Sequence, residues 1–307
     1  MFCWFASVAV ANEPEAWVGA GLTTGAVIDG DGVGAYPTSQ LEVNARMGAG
    51  QVMGRLDLDV HFDPIEAAEG PALPYPPEVA FVQLGRTHGR VRLGVTAPNF
   101  GLQEWDERDN YLPSFSTGWA LQNGQNVGIE PGWAFDDGTE VFAFGGWDLA
   151  WATPSAGAGV ATEQESWGTW TGAFVMPDLD YTALFTANEV YPHDLLWLTV
   201  ELDGGVVAKD WFAGGQLVAN LAPESIVGGA VRFDVHHATS GVEAALGVPV
   251  PPFVATAAAR ARPNDWLLVA LSGSLAVERG GGLAPGALLL VDLHVPEPEG
   301  FDQVAPE

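Results

Sequence analysis

The sequence predicts an all-β chain folded as a single antiparallel barrel that crosses a membrane, and three observations carry that expectation. Segments such as Leu56-Asp57-Leu58-Asp59-Val60-His61-Phe62 alternate apolar and polar residues strictly, a period of two that belongs to extended strands. The polar members are charged, so these strands put ionic groups where a soluble fold keeps a dry core. Connections between such segments alternate short and long through the first half of the chain. Apart from Met1–Ala11, no stretch approaches the roughly 20 apolar residues of a membrane helix. The longest uncharged run, 244–259, holds Pro249, Pro251 and Pro252, which would break one.

Strands are expected at about 17–28, 38–47, 51–62, 78–86, 89–96, 126–135, 139–150, 164–176, 179–190, 195–203, 206–220, 226–236, 241–248, 252–262, 265–277 and 286–295. That makes about sixteen, with twelve or fourteen also compatible. An even number returns the C-terminus to the side where the chain begins. Tight turns are read at Gly48-Ala49-Gly50, Thr87-His88-Gly89, Asp136-Asp137-Gly138, Pro177-Asp178, Asp203-Gly204-Gly205 and Pro263-Asn264-Asp265, from residues that supply positive or preset φ. Longer links are read at 29–37, 63–77, 97–125 and 151–163. Short turns on one side and long loops on the other suit a membrane barrel, with apolar side chains outside and a wet interior. A sandwich has no reason to sort loop lengths by parity. Trp17, Trp133, Phe135, Trp147, Trp151, Trp167, Trp170, Trp197 and Trp266 fall near strand ends, either as interfacial girdles or as core.

Three stretches divide the chain. Residues 1–11 end in Ala9-Val10-Ala11 and fit a signal peptide without its basic start, truncated or begun late. Residues 12–295 form the barrel, and 296–307 an acidic tail. Cys3 is the only cysteine, so no disulfide framework or thiolate metal site is expected. The net charge of −28, with a single lysine at Lys209, excludes a nucleic-acid partner, because neutralising phosphates needs clustered Lys and Arg. The same charge suits an anionic surface that gathers cations.

Alternation turns one set of polar side chains away from the apolar face: Glu42, Arg46, Arg55, Asp57, Asp59, His61, Arg90, Arg92, Arg232, Asp234, His236, Arg260 and Arg262. His236 and His237 are adjacent, so they point to opposite faces and cannot chelate one ion together. Asp29-Gly30-Asp31-Gly32 lacks the later ligands of a Ca²⁺ loop and reads as a turn. Ser272 and Ser274 have no histidine nearby in sequence, so no catalytic residue, metal or cofactor is assigned.

The longest irregular stretch, 97–125, contains Trp105, Tyr111, Phe115 and Trp119, which give it apolar groups to dock. Together with Arg90-Val91-Arg92-Leu93-Gly94-Val95 and Pro98-Asn99-Phe100-Gly101, this region resembles the third-loop region of Gram-negative outer-membrane porins, especially the OmpL-like β-barrel porin family. The resemblance implies that the loop folds into the lumen and narrows it. It would place Glu104, Asp106, Glu107 and Asp109 as the acidic side of a constriction, facing Arg46, Arg55, Arg90 and Arg92. The chain departs from the family in ending on an acidic tail instead of a terminal aromatic. The expected function is a passive, cation-preferring channel for small hydrophilic solutes in the bacterial outer membrane. Its expected partners are outer-membrane lipid and lipopolysaccharide, with a homotrimer as candidate assembly. A secreted carbohydrate-binding β-sandwich and an outer-membrane barrel hydrolase are the alternatives.

Overall fold

The structure, a computed structural model, describes residues 15–29, 32–35, 40–61, 73–74, 79–85, 88–96, 117, 121, 125–223, 225–247 and 249–295. The expected signal peptide (1–11), the tail (296–307) and most of the long loop (97–116) lie outside these residues. Chain order is β1 (Glu15–Asp29), β2 (Gly32–Ala35 continued by Gln40–Ala49), β3 (Val52–His61), β4 (Leu73–Pro74 continued by Val79–Leu84), β5 (Gly89–Thr96), β6 (Asn126–Ala134), β7 (Thr139–Asp148), β8 (Thr153–Gln164), β9 (Trp167–Met176), β10 (Tyr181–His193), β11 (Leu196–Val207), β12 (Asp210–Leu221), β13 (Val227–Ala238), α1 (Ser240–Leu246), β14 (Phe253–Asn264), β15 (Leu267–Val277) and β16 (Leu283–His294).

Every strand pairs antiparallel with its sequence neighbours. Two strands run as split segments, so the sheet's eighteen segments make sixteen strands. The sheet closes where β1 meets β16, from Gly21 opposite His294 to Ile28 opposite Ala287. Inside that seam the Thr23 hydroxyl donates to Asp292 Oδ2 at 2.7 Å. Closure satisfies every edge, which a bilayer requires and a sandwich does not provide.

Polarity is inverted relative to a soluble fold. Along β2, Glu42, Asn44 and Arg46 are buried while Leu41, Val43 and Met47 are exposed. Along β11, Thr199, Glu201 and Asp203 are buried while Val200, Leu202 and Val206 are exposed. The exposed apolar side chains form a continuous outer belt, and the polar lanes face the lumen. Trp133, Phe135, Trp167 and Trp266 ring the belt near one rim, and Trp147 and Trp211 near the other. Trp17, Trp151, Trp170 and Trp197 fall instead on the inward lanes or pack on the inner core.

The two rims differ. On the rim that carries both chain ends, connections are short: 50–51, 85–88, 135–138, 165–166, 194–195, 222–226 and 265–266. The long connections 62–72, 97–125 and 239–252 all leave from the opposite rim. The expected sorting of loop lengths therefore holds at 62–72 and 97–125. The link read at 29–37 is instead short, because Gly32–Ala35 pairs back on β1 and leaves only 30–31 between the strands. Likewise 149–152, 177–180 and 208–209 keep connections on the long-loop rim short.

Three further expected elements are corrected. Residues 151–163 are not a loop: 153–164 form β8, whose glycines seat aromatic rings from β7. A Cβ at Gly157 would stand 2.5 Å from Phe144 Cε1, and one at Gly159 2.6 Å from Phe142 Cζ. Residues 241–248 are not a strand. Ser240–Leu246 is a helix capped by Gly247 in the left-handed region (φ 68°), burying Val242 and Leu246 one turn apart. Asp203-Gly204-Gly205 is not a turn but the interior of β11; the chain reverses at 208–209, with Ala208 at φ 52°. The expected count of sixteen strands is right because the missed strand and the false one cancel.

The largest apolar core lies inside the barrel, near the long-loop rim. Phe174, Met176, Tyr181, Phe185, Val207 and Phe212 project inward from β9 to β12 and meet Leu121, Val242, Leu246 and Val250. The Tyr181 hydroxyl donates to the Leu121 carbonyl at 2.6 Å. The end of the long connection and the α1 segment thus dock on the inner wall, which occupies part of the lumen.

Candidate functional site

The lumen has two unlike walls. On the first, β2 to β7, all four expected arginines face inward and each meets a carboxylate. Arg46 and Arg55 stand directly opposite each other in the β2–β3 ladder, a repulsive pairing. Asp57 resolves it, accepting from Arg46 and, at 2.6 Å, from Arg55 Nε. Arg90 bonds Glu140 and stands 3.4 Å from Glu130. Arg92 reaches the same Glu130 oxygen at 3.1 Å and Gln83 at 2.9 Å. Aromatic faces hold two guanidiniums, Arg46 over Trp17 at 5.8 Å and Arg92 over Phe81 at 4.8 Å. Glu42 stands 3.8 Å from His294 across the seam. Four arginines therefore stand among five described carboxylates (Glu42, Asp57, Glu130, Glu140 and, at the end of β7, Asp148), so the arginine charge is offset within this wall.

Half a barrel away, β10 to β13 build the second wall. Glu189, Glu201, Asp203 and Asp234 are buried there with one arginine, Arg232, and one histidine, His236. Thr199 and Tyr191 both donate to Glu189, at 2.9 Å each. Gln216 Nε2 donates to Glu201 at 3.1 Å, and Arg232 Nε to Asp234 at 2.8 Å. His236 Nε2 lies 2.8 Å from Asp203 Oδ2, although β12 runs between their strands. That contact needs Gly214, which stands opposite both residues in the ladders. A Cβ there would come within 2.3 Å of His236 Cδ2. Four carboxylates against one arginine make this the acidic wall.

Among the residues expected from sequence, Glu42, Arg46, Asp57, Arg232, Asp234, His236 and Arg260 are buried on inward lanes; Arg55, Arg90, Arg92 and Arg262 share those lanes, half-buried. Arg260 donates to the Pro223 carbonyl near the short-turn rim, away from the central clusters. Asp59 pairs with Glu42 and His61 with Gln40 in backbone register; their side chains are outside the described residues. So are Glu104, Asp106, Glu107 and Asp109, although Leu121 from the same connection is fully buried in the lumen. His237 points outward onto Trp211, with ring centroids 5.0 Å apart, so the two histidines do serve opposite faces. Sequence reasoning missed Glu130, Glu140, Glu189, Glu201 and Asp203. Glu201 and Asp203 alternate with apolar neighbours in Val200-Glu201-Leu202-Asp203, so a signal was present there, whereas Glu140 follows Thr139 and Glu189 follows Asn188, which blurs the contrast.

A closed sixteen-strand barrel with a charged interior and an apolar belt is also the shape that solved structures match. The outer-membrane channel DcaP of Acinetobacter baumannii aligns with a TM-score of 0.67 at 11% identity, over 92% of this chain and 97% of that one. The chain has the fold of the outer-membrane porins. An anion-selective porin from Comamonas acidovorans gives a TM-score of 0.66 at 12% identity, covering 92% of this chain and 100% of its own. The OmpT outer-membrane protein of Vibrio cholerae, in trimer form, gives 0.64 at 10% identity over 92% and 100%. No family model matches the chain, and no curated protein matches it. The porin likeness is therefore one of architecture, and an anion-selective member within it means that ion preference must be argued from this chain's own lumen.

Proposed function

We propose that the protein is a porin of the bacterial outer membrane, a water-filled channel through which small hydrophilic solutes and ions diffuse passively, with preference for cations. The observation that carries the reading is the inverted polarity: apolar side chains outside, charged lanes inside. Such a lumen lowers the cost of moving a polar solute across hydrocarbon, and its fixed charges bias which ions enter. Cation preference is supported by the unequal walls. The arginine wall is balanced by its own carboxylates, while the β10–β13 wall carries four carboxylates against Arg232. The reading needs no cofactor and no catalytic residue. The acidic loop residues Glu104, Asp106, Glu107 and Asp109 are proposed to add to the lumen's negative charge, and the docking of Leu121 supports their inward course.

Outer-membrane lipid and lipopolysaccharide are the proposed surroundings, and a homotrimer the proposed assembly. Lateral association is supported by a polar patch on the lipid-facing side. Thr171 and Thr186 bond at 2.8 Å and Thr169 donates to Asn188 at 3.0 Å, groups that a protein neighbour satisfies better than hydrocarbon. Swelling of vesicles that contain the purified protein in isotonic sugar solutions tests the channel. Uptake that falls with solute size supports it, whereas vesicles no more permeable than protein-free ones overturn it.

A further inference from the structure

On the acidic wall, β11, β12 and β13 bring Glu201, Gln216 and Asp234 into one ladder row and Asp203 and His236 into the next. We propose that this cluster is a binding site for a hard metal cation, alkali or alkaline-earth, held by Asp203 Oδ1, Asp234 Oδ1 and Gln216 Oε1. These three oxygens are buried and have no hydrogen-bond partner. Their residues are 7%, 1% and 5% exposed. Each is the free end of a group whose other end is engaged: Asp203 with His236, Asp234 with Arg232, Gln216 with Glu201. Buried acceptors need donors or a cation.

Charge points the same way. Glu201, Asp203 and Asp234 sum to −3, and Arg232 contributes +1. His236 adds 0 or +1, so the cluster keeps a surplus of −2 or −1 in either protonation state. An uncompensated buried charge is costly, and a bound cation removes that cost. The oxygen-only set selects hard ions over thiolate- or imidazole-seeking metals. Among the described residues no three His, Cys, Asp or Glu side chains converge as a ready-made metal centre. Two carboxylates and an amide oxygen therefore hold the ion weakly, with a Kd of about 1 mM. Weak holding is what a channel wall needs, since an ion held tightly would not leave.

The inference deepens the cation preference proposed above and shares its channel reading, but binding can be measured without conduction. The intact barrel in detergent is unfolded in NaCl or CaCl₂ against N-methylglucamine chloride at matched ionic strength. At about 100 mM ion the folded-to-unfolded ratio should rise about 100-fold over the organic cation. Asp203→Asn and Asp234→Asn should abolish the difference, whereas Glu163→Gln, at an exposed carboxylate of β8, should keep it. Because either Asn variant could fail to fold, crystals of the unaltered protein grown with Tl⁺ give a second reading. Anomalous density within reach of both Asp203 and Asp234 supports the site. No ion-specific stabilisation and no density there overturn it, leaving water or a proton on the free oxygens. Cation-selective conduction without binding would defeat this inference alone; binding without conduction would defeat the channel reading alone.

Discussion

Arginine placed at Leu202 should damage assembly far more than arginine placed at Ser274. Leu202 is the seventh residue of the twelve in β11, 54% exposed on the outer belt. Its ladder neighbours are Thr186 and Gly215, so no acidic partner shares its face. Glu201 and Asp203 flank it in sequence but are buried on the inward lane. Arginine at a lipid-facing midplane position of a barrel costs about 2–4 kcal/mol. At 1.4 kcal/mol per decade this lowers the folded-to-unfolded ratio roughly 30- to 700-fold. Ser274 sits mid-strand in β15 on the inward lane, opposite Thr256 and Gly286, where the missing side chain leaves room. Its guanidinium would meet the lumen, at a cost of about 1 kcal/mol or less. Urea titrations of folding into phospholipid vesicles, followed by tryptophan fluorescence, give both values. Equal losses, or a larger loss at Ser274, would refute the assignment of outer and inner faces.

Gly214→Ala should destabilise the barrel by a few kcal/mol, roughly the cost of breaking a buried ion pair, because the new methyl displaces His236 from Asp203. Gly204→Ala, whose Cβ would meet nothing closer than 3.5 Å, should cost little in the same titration; similar losses would mean that the His236–Asp203 contact contributes nothing. Glu130→Gln should move the reversal potential toward chloride, since Arg90 and Arg92 lose the carboxylate they share. An unchanged potential would show that the arginine wall does not govern the permeating ions. Deleting residues 104–116 should raise single-channel conductance while Thr117 and Leu121 keep their places, and an unaltered conductance would put that loop outside the ion path.

Much of the barrel was legible because lipid outside and water inside impose a period of two. Where the outer face is bulky, as in Leu56-Asp57-Leu58, the contrast names both strand and face. Where the outer face is small, the contrast fades. β8 presents Pro154, Ala156, Ala158 and Val160 outward, with Gly157 and Gly159 between them, and so resembled a loop. The helix Ser240–Leu246 hid behind the opposite accident, since Val242 and Leu246 also satisfy a period of two. Gly204-Gly205 carries a turn signature in sequence but serves packing: a Cβ at Gly205 would meet the Phe212 ring at 2.6 Å. In the lumen, inward direction followed from parity for Arg46, Arg90 and Arg232. Their partners did not, because Arg92 meets Glu130 and His236 meets Asp203 only through strand register. The acidic second wall went unread for that reason: its carboxylates come from three strands, Glu189 from β10, Glu201 and Asp203 from β11 and Asp234 from β13.

The most direct test of the account is the reversal potential of single channels in a planar bilayer under a KCl gradient at low salt. A water-lined lumen with an arginine wall offset by its own carboxylates and an acidic β10–β13 wall predicts discrete ohmic steps and a potential displaced toward the K⁺ equilibrium value. The displacement should shrink in molar salt, where the screening length falls to about 3 Å. Steps with a potential displaced toward the Cl⁻ value would contradict the charge assignment of the two walls. The absence of any steps from correctly folded protein would contradict the channel itself.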